Sequence, residues 1–115
     1  MLNNVKITKT YVGKSKMTSG NAYRITMSKN NKKVWFIFND NYLNETDNKG
    51  LLECLYMDAM AYEYNKNMVN FFLEFGYEED NIEEGKRAYY DCKKQYERLH
   101  KLFTHEEIEE MREAF

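Results

Sequence analysis

Alternating apolar and polar residues predict three β-strands in the first 40 residues of the chain. The alternation runs from Asn4 to Val12, from Asn21 to Lys29 and from Lys33 to Asn39, with a polar segment from Gly13 to Gly20 after the first stretch. A period of two places every second side chain on the same face of a strand. The pattern therefore predicts strands with one buried face, and it counts Tyr11 among the inward residues.

Two consecutive asparagines, Asn30 and Asn31, predict a two-residue hairpin turn because Asn tolerates positive φ angles. This turn fixes the antiparallel register of the second and third strands. The predicted pairs are Lys29 with Lys32, Met27 with Val34, Ile25 with Phe36, and Tyr23 with Phe38. Six apolar side chains then share one face, as a core-facing surface requires. The opposite face is mixed, basic and aromatic, and it carries Arg24, Thr26, Lys33, Trp35 and Ile37.

The rest of the chain follows helical spacing. A polar join from Asp40 to Gly50 precedes a first helix, whose apolar residues recur until about Tyr64. Asn67 is predicted to cap a short second helix that ends at Gly76. Phe75, next to that stop, is interpreted as a core anchor.

Two capping boxes predict the last two helices. Asn81 and Glu84 have the spacing of the first box, and Thr104 and Glu107 have the spacing of the second. The fold predicted is α+β, a three-stranded antiparallel sheet followed by three to four helices. The length of 115 residues suits one domain. Its basic β-sheet half would be residues 1–44, and its acidic helical half residues 45–115.

The net charge of −2 conceals a strong asymmetry between these halves. Residues 1–40 carry eight basic residues and one acid, a net of +7, whereas residues 41–115 carry nine basic and eighteen acidic residues, a net of −9. Fields of opposite sign can steer different partners to different faces. Alternatively, the two halves fold against each other and partly neutralise.

No pattern of residues predicts catalysis. Phosphate loops, nucleophile elbows and metal-binding pairs are absent from the sequence. Cys54 and Cys92 are interpreted as buried free thiols, and only His100 and His105 could complete a metal site with them. We therefore expect no enzyme activity, no cofactor and no metal. The start of the chain lacks the apolar centre of a signal peptide, so a soluble protein of a bacterial host's cytoplasm is expected, without a membrane partner.

The stretch from Phe71 to Phe103 resembles small accessory proteins of phages and mobile elements, including anti-CRISPR-like proteins. The residues that carry the resemblance are Phe75-Gly76-Tyr77, an acidic cluster ending in Asp80, and then Tyr89, Cys92, Leu99 and Phe103. It covers about a third of the chain. That group has no agreed activity, so the resemblance implies a genetic context and transfers no functional residues.

Two surfaces are candidates for binding. The first is the outer sheet face, whose basic groups and single aromatic suit single-stranded nucleic acid. Its residues are Lys6, Arg24, Lys33 and Trp35, flanked by Lys14 and Lys16. An ordinary solvated face, with Trp35 covered by a loop or helix, is the alternative interpretation.

The second candidate is acidic and lies in the helical half. One set of carboxylates is Glu78, Glu79 and Asp80, continued by Glu83 and Glu84, and the other is Glu106, Glu109, Glu110 and Glu113 on one side of the last helix. Rows of carboxylates can imitate phosphates and occupy a basic groove of a partner protein. The alternative is an ordinary solvated helix face.

The functional hypothesis is an inhibitory binding protein of a phage or mobile element. It would block a host nucleic-acid-handling defence complex, such as a CRISPR effector, by stoichiometric contact with that protein or ribonucleoprotein through the acidic half. The first alternative is an accessory protein that binds nucleic acid through the basic sheet face, in replication or recombination. A small structural or transcription-linked subunit is the other alternative.

Overall fold

A computed structural model of the chain describes residues 4–40 and 46–115. Strands β1 (Lys6–Lys14), β2 (Asn21–Lys29) and β3 (Lys32–Asp40) form an antiparallel sheet with β2 in the centre. The described residues then form helices α1 (Asn48–Glu63), α2 (Met68–Phe75), α3 (Ile82–Leu102) and α4 (His105–Ala114), with a 3₁₀ turn at Glu79–Asn81 before α3. The predicted α+β class is confirmed. The boundary proposed between the two halves lies outside the described residues.

The β2–β3 hairpin has the predicted register. Asn30 and Asn31 adopt positive φ angles of 51° and 65°, as a two-residue turn of this kind requires. Met27 pairs with Val34, Ile25 with Phe36, and Tyr23 with Phe38. The turn and the alternation together were sufficient to place every residue of this hairpin on its observed face.

Strand β1 begins and ends two residues later than predicted. At its end, the pairing with β2 continues through Gly13 to Lys14. The register shifts between Tyr11 and Gly13, and Gly13 has a φ of 134°, which favours glycine. Tyr11 itself is exposed, although it was predicted to face inward. Its ring packs edge-to-face on Tyr23, with 5.8 Å between centroids, at the margin of the core.

The inner face of the sheet packs against α1, α3 and α4 around one hydrophobic core. Its buried apolar residues are Tyr23, Ile25, Met27, Val34, Phe36, Leu51, Leu52, Leu55, Tyr56, Ala59, Met60, Leu99, Leu102, Phe103, Ile108 and Met111. Helix α1 begins after Asp47, whose side chain accepts a hydrogen bond of 2.8 Å from the Gly50 N–H. Gly50 therefore belongs to the first turn of α1 and not to the polar join.

Helix α2 has the predicted ends but not the predicted buried residues. Asn67 caps it, and Gly76 ends it with a φ of 75°. Within α2 only Phe71 is buried, whereas Phe75 is 47% exposed. The interpretation of Phe75 as a core anchor is therefore wrong. Phe71 occupies the buried side of this short helix, and Phe75 lies over it at the helix end, with ring centroids 4.7 Å apart.

One of the two predicted capping boxes is present. Thr104 and Glu107 cap α4 reciprocally, as expected. The box predicted for Asn81 and Glu84 is wrong, since the Asn81 side chain accepts a 2.6 Å hydrogen bond from the Glu78 N–H and makes no cap bond for α3. The 3₁₀ turn uses the polar side chain that would otherwise have capped the helix. None of the described helices is both long and apolar enough to cross a bilayer.

Candidate functional site

Helix α2 presents large apolar side chains to solvent. Val69 is 63% exposed and Leu73 is 77% exposed. They lie four residues apart, so they are neighbours on the helix surface. Single exposed apolar residues are common on protein surfaces, whereas groups of them more often mark interaction surfaces. The two neighbouring aliphatic side chains therefore make this short, apolar helix a candidate contact site.

The local sequence explains why this helix forms despite its poor burial. The Asn67 carboxamide oxygen accepts hydrogen bonds from the N–H groups of Val69 and Asn70, at 2.8 Å and 3.3 Å. On the buried side, the rings of Phe71 and Tyr89 meet in a T-shaped contact with centroids 5.4 Å apart. The capping residue thus stabilises α2 itself, and the Phe71–Tyr89 contact helps to hold it against α3.

Helix α2 and the segment after it pack against α3 at Gly85. A Cβ atom at position 85 would lie 2.8 Å from Cγ of Tyr77 and 2.9 Å from Cε1 of Phe72. Real Cβ atoms essentially never make contacts this short. The absence of a side chain at Gly85 therefore lets α2 and the segment after it approach α3 closely.

A groove of about 410 Å³ runs between α1, α2 and α4 and joins α2 to the end of the chain. Tyr64 at the end of α1 and Phe75 at the end of α2 line it, and both are exposed. Glu74 and Arg112 supply opposite charges to its walls. Val69 and Leu73 do not line this groove, because they project from the side of α2 opposite to Phe75.

The first predicted acidic set directly follows α2. Glu78, Glu79 and Asp80 are all exposed, and the last of them is five residues after Phe75. Five extended residues span at most about 18 Å, so this set lies within that distance of the C-terminal end of α2. Glu83 and Glu84, in the first turn of α3, are also exposed and extend the negative charge.

The second predicted acidic set lies on α4. Glu106 and Glu113 are exposed, while Glu109 and Glu110 are partly buried. Glu109 Oε1 is 3.4 Å from Nη1 of Arg112, which lines the groove beside Phe75. Through Arg112, part of this set lies near the end of α2 that borders the groove. We use the name acidic–apolar surface for Val69 and Leu73 of α2 together with the two acidic sets.

The four residues predicted from the sequence to form a nucleic-acid-binding face do share the outer face of the sheet. They are Lys6, Arg24, Lys33 and Trp35. Lys6 and Lys33 both pair with Ser28, one from each side, and both are exposed. Trp35 is 50% exposed, and the Arg24 guanidinium carbon lies 4.4 Å from its ring centroid. The group that partly covers Trp35 is thus the Arg24 guanidinium. The two residues are diagonal neighbours on the sheet and form a cation–π contact.

Sequence reasoning missed three further cations beside Lys33 and Trp35. Lys94, Arg98 and Lys101 of α3 line a groove of about 350 Å³ with these two residues. Their spacing of four and then three residues puts them on one stripe of α3, which the sequence shows. That this stripe lies beside β3 follows from tertiary packing alone.

Asp58 is a carboxylate with a strongly shifted pKa beside a groove, and Asp91 is a charged neighbour. Asp58 lines a groove of about 550 Å³ between β3 and α1. Although the residue as a whole is exposed, partial desolvation of its carboxyl and the nearby charge of Asp91 raise its pKa from 3.8 to about 6. The pair consists of like charges on two packed helices, α1 and α3.

The two cysteines are half-buried free thiols, not fully buried ones. Burial, assisted by the charge of Asp58, raises the pKa of both, and it raises the pKa of Cys92 to about 12. Such thiols stay protonated at neutral pH and are poor nucleophiles. In the part of the chain that the structure describes, no group of three or more His, Cys, Asp and Glu side chains could hold a metal ion.

Comparisons of the chain with protein-family models, with curated proteins and with solved structures found no match.

Proposed function

We propose that the chain is an inhibitory binding protein that contacts a basic, nucleic-acid-handling partner through its acidic–apolar surface. The observation that carries this proposal is the exposure of Leu73 and Val69 on a helix directly followed by three exposed carboxylates. An apolar centre with a charged rim is the usual anatomy of a protein–protein interface. A partner with basic residues around an apolar contact would complement it.

The physical roles of the two parts differ. Burying an aliphatic side chain fully is worth about 1.5–3 kcal/mol, so Leu73 and Val69 would supply most of the affinity. The carboxylates would steer the encounter and select a basic partner, because charge complementarity acts mainly on association rate and specificity. Once bound, the carboxylates would occupy the positions of nucleic-acid phosphates on the partner. The resulting blockade is both steric and electrostatic.

The resemblance of residues 71–103 to accessory proteins of phages and mobile elements supports a particular class of partner. We propose a host defence complex that handles nucleic acid, such as a CRISPR effector ribonucleoprotein, in the cytoplasm of a bacterial host. Such a complex presents a basic groove that an acidic surface can enter. The inhibitor would act without bond chemistry, by forming a one-to-one complex.

A titration of the host's purified CRISPR effector tests this proposal. Target cleavage is measured at increasing amounts of the chain, and inhibition should be complete near one chain per effector. Leu73→Asp should relieve inhibition, whereas Val12→Asp, which makes the same kind of change at an exposed aliphatic residue of β1 outside both proposed sites, should not. Uninhibited cleavage at a large excess of the folded chain, or inhibition that is unchanged by Leu73→Asp, would contradict the proposal.

A further inference from the structure

The groove between β3 and α3 is strongly basic, and the proposed contact through the acidic–apolar surface does not involve it. We propose that this groove, with the adjoining outer sheet face, binds single-stranded nucleic acid. The phosphodiester backbone would lie along the lysines and arginine of α3, and a base would stack at Trp35. This is a second binding activity, separate from the contact with a protein partner.

The charge of the groove is the first support. Four of its lining residues are cations, contributed by two elements, and Glu97 is the acid among them. The cations are Lys33, Lys94, Arg98 and Lys101. The volume of about 350 Å³ lies within the range of small-ligand sites, roughly 300–1,000 Å³. A chain of phosphates is the ligand that such a row of cations complements.

Arg98 is already held in position. Its Nη1 donates a 2.6 Å hydrogen bond to Oε1 of Gln95, which is buried, and its guanidinium carbon lies 5.9 Å from the Phe36 ring centroid. Burial lowers the pKa of Arg98, while Asp91 and Glu97 act in the opposite direction. An arginine keeps its charge through such shifts and has five N–H donors, so one bond to Gln95 leaves donors for a phosphate.

The aromatic component is the second, independent support. Trp35 is half exposed and lines the groove, and Arg24 contacts its ring from the next outward-facing row of the sheet. Stacking on a tryptophan or a guanidinium plane is how proteins hold unpaired bases without reading their sequence. A duplex keeps its bases inside, so the Trp–Arg pair favours a single strand.

Lys33 and Trp35 join the groove to the sheet face. Both belong to β3, both project from its outer side, and both line the groove. Lys6 lies two strands away in the same row as Lys33, about 10 Å across the sheet at ordinary strand spacing. A strand leaving the groove past Trp35 would therefore meet further positive charge. None of these residues belongs to the acidic–apolar surface.

Fluorescence anisotropy with labelled oligonucleotides tests the inference on the full chain. The probes are a ten-nucleotide oligothymidylate, the matching oligouridylate, and a blunt DNA duplex, each at two salt concentrations. We expect tighter binding of one or both single strands than of the duplex, weakening with salt by a log–log slope of about 0.7 for each phosphate contact. The preferred sugar then identifies DNA or RNA as the natural strand.

Point variants locate the site. Lys94→Ala and Lys101→Ala should weaken binding and reduce the salt slope, and Trp35→Ala should weaken it roughly fivefold or more, the usual cost of losing one stacked base. Lys86→Ala is the matched control, because Lys86 is an exposed lysine on the first part of α3, 3.4 Å from Glu83. Absence of binding, equal binding of duplex, or equal weakening by Lys86→Ala would overturn the inference. Circular dichroism confirms that each variant is folded.

Discussion

Lys29 and Glu107 form an ion pair of 2.6 Å that joins the end of β2 to the first turn of α4. Both side chains are almost inaccessible to solvent. Burial alone would raise the pKa of Glu107, but hydrogen bonds from Lys29 and Thr104 lower it overall. The carboxylate thus completes the capping box of α4 and neutralises a lysine that the strand pattern turns toward the core.

Removing one partner of this ion pair should destabilise the fold strongly. Lys29→Met leaves a buried carboxylate without its cation, and we expect a loss of about 3 kcal/mol in the free energy of unfolding. Urea unfolding followed by circular dichroism measures it. Lys32→Met is the control, since Lys32 pairs with Lys29 across the turn but is exposed, and it should change stability by less than about 0.5 kcal/mol. Similar losses in both variants would contradict the assignment.

The Lys29–Glu107 ion pair should also make the stability of the fold decrease at acid pH. Because the folded-state pKa of Glu107 is lowered, its contribution is present above the ordinary glutamate pKa and is lost as pH falls through the folded-state value. Lys29→Met should therefore reduce the stability lost between about pH 5 and pH 3, relative to the unmodified chain. An identical acid profile would show that Lys29 does not lower the pKa of Glu107.

Asp58 should have the opposite pH dependence. Its raised pKa means that the folded state binds the proton more tightly, so stability increases as pH falls from about 6 toward 3.8. Asp58→Asn should stabilise the chain at pH 7.5 by about 1 kcal/mol or less, because solvent screens this exposed group. Unfolding midpoints between pH 4 and pH 8 measure the effect. Asp91→Asn, which removes the neighbouring charge, should reproduce part of it, and a destabilised Asp58→Asn would contradict the explanation.

Gly85→Ala should destabilise the protein, although alanine is usually the better helix residue. The ordinary gain inside a helix is about 1 kcal/mol, whereas overpacking against Tyr77 and Phe72 costs about 1–3 kcal/mol. Thermal or urea unfolding gives the net sign. In a Tyr77→Ala background the penalty should shrink, since the nearest obstructing ring is gone. Stabilisation by Gly85→Ala in the unmodified chain would show that α2 does not approach α3 so closely.

Charge reversal tests separately whether each of the two acidic sets is needed for the proposed inhibition. Replacing Glu106, Glu109, Glu110 and Glu113 by Lys should abolish inhibition of the effector while the fold persists, and replacing Glu78, Glu79 and Asp80 by Lys should do the same. The control carries Glu53→Lys, a change at an exposed acid outside both sets and outside the basic groove. Cleavage assays and circular dichroism are the measurements. Undiminished inhibition by a folded four-site variant would remove α4 from the interface.

Local patterns predicted the parts of the fold whose determinants lie close together in sequence. The Asn30–Asn31 turn and the alternation around it set the hairpin register, and Thr104 with Glu107 set the start of α4. Gly76 marked the end of α2 because a left-handed cap favours glycine. Each of these depends on contacts spanning a few residues.

Features that depend on packing between distant segments were not predictable. The sequence shows Lys94, Arg98 and Lys101 as a helical stripe, but only the packing of α3 beside β3 brings them to Trp35. Likewise, Lys29 and Glu107 are 78 residues apart, and no local pattern pairs them. The prediction for Phe75 was wrong because its exposure is set by packing between α2 and distant segments, which the local sequence does not show.

The small number of buried side chains in α2 has a consequence for how this part of the molecule moves. Since only Phe71 of its eight residues is fully buried, we expect α2 to detach from α3 and re-form more readily than the longer helices unfold, without disturbing the sheet. Its amide hydrogens should exchange with deuterium sooner than those of α3, and capture by another protein should slow that exchange. The segment proposed to recognise a partner is thus also the one able to adjust its shape to that partner at small energetic cost.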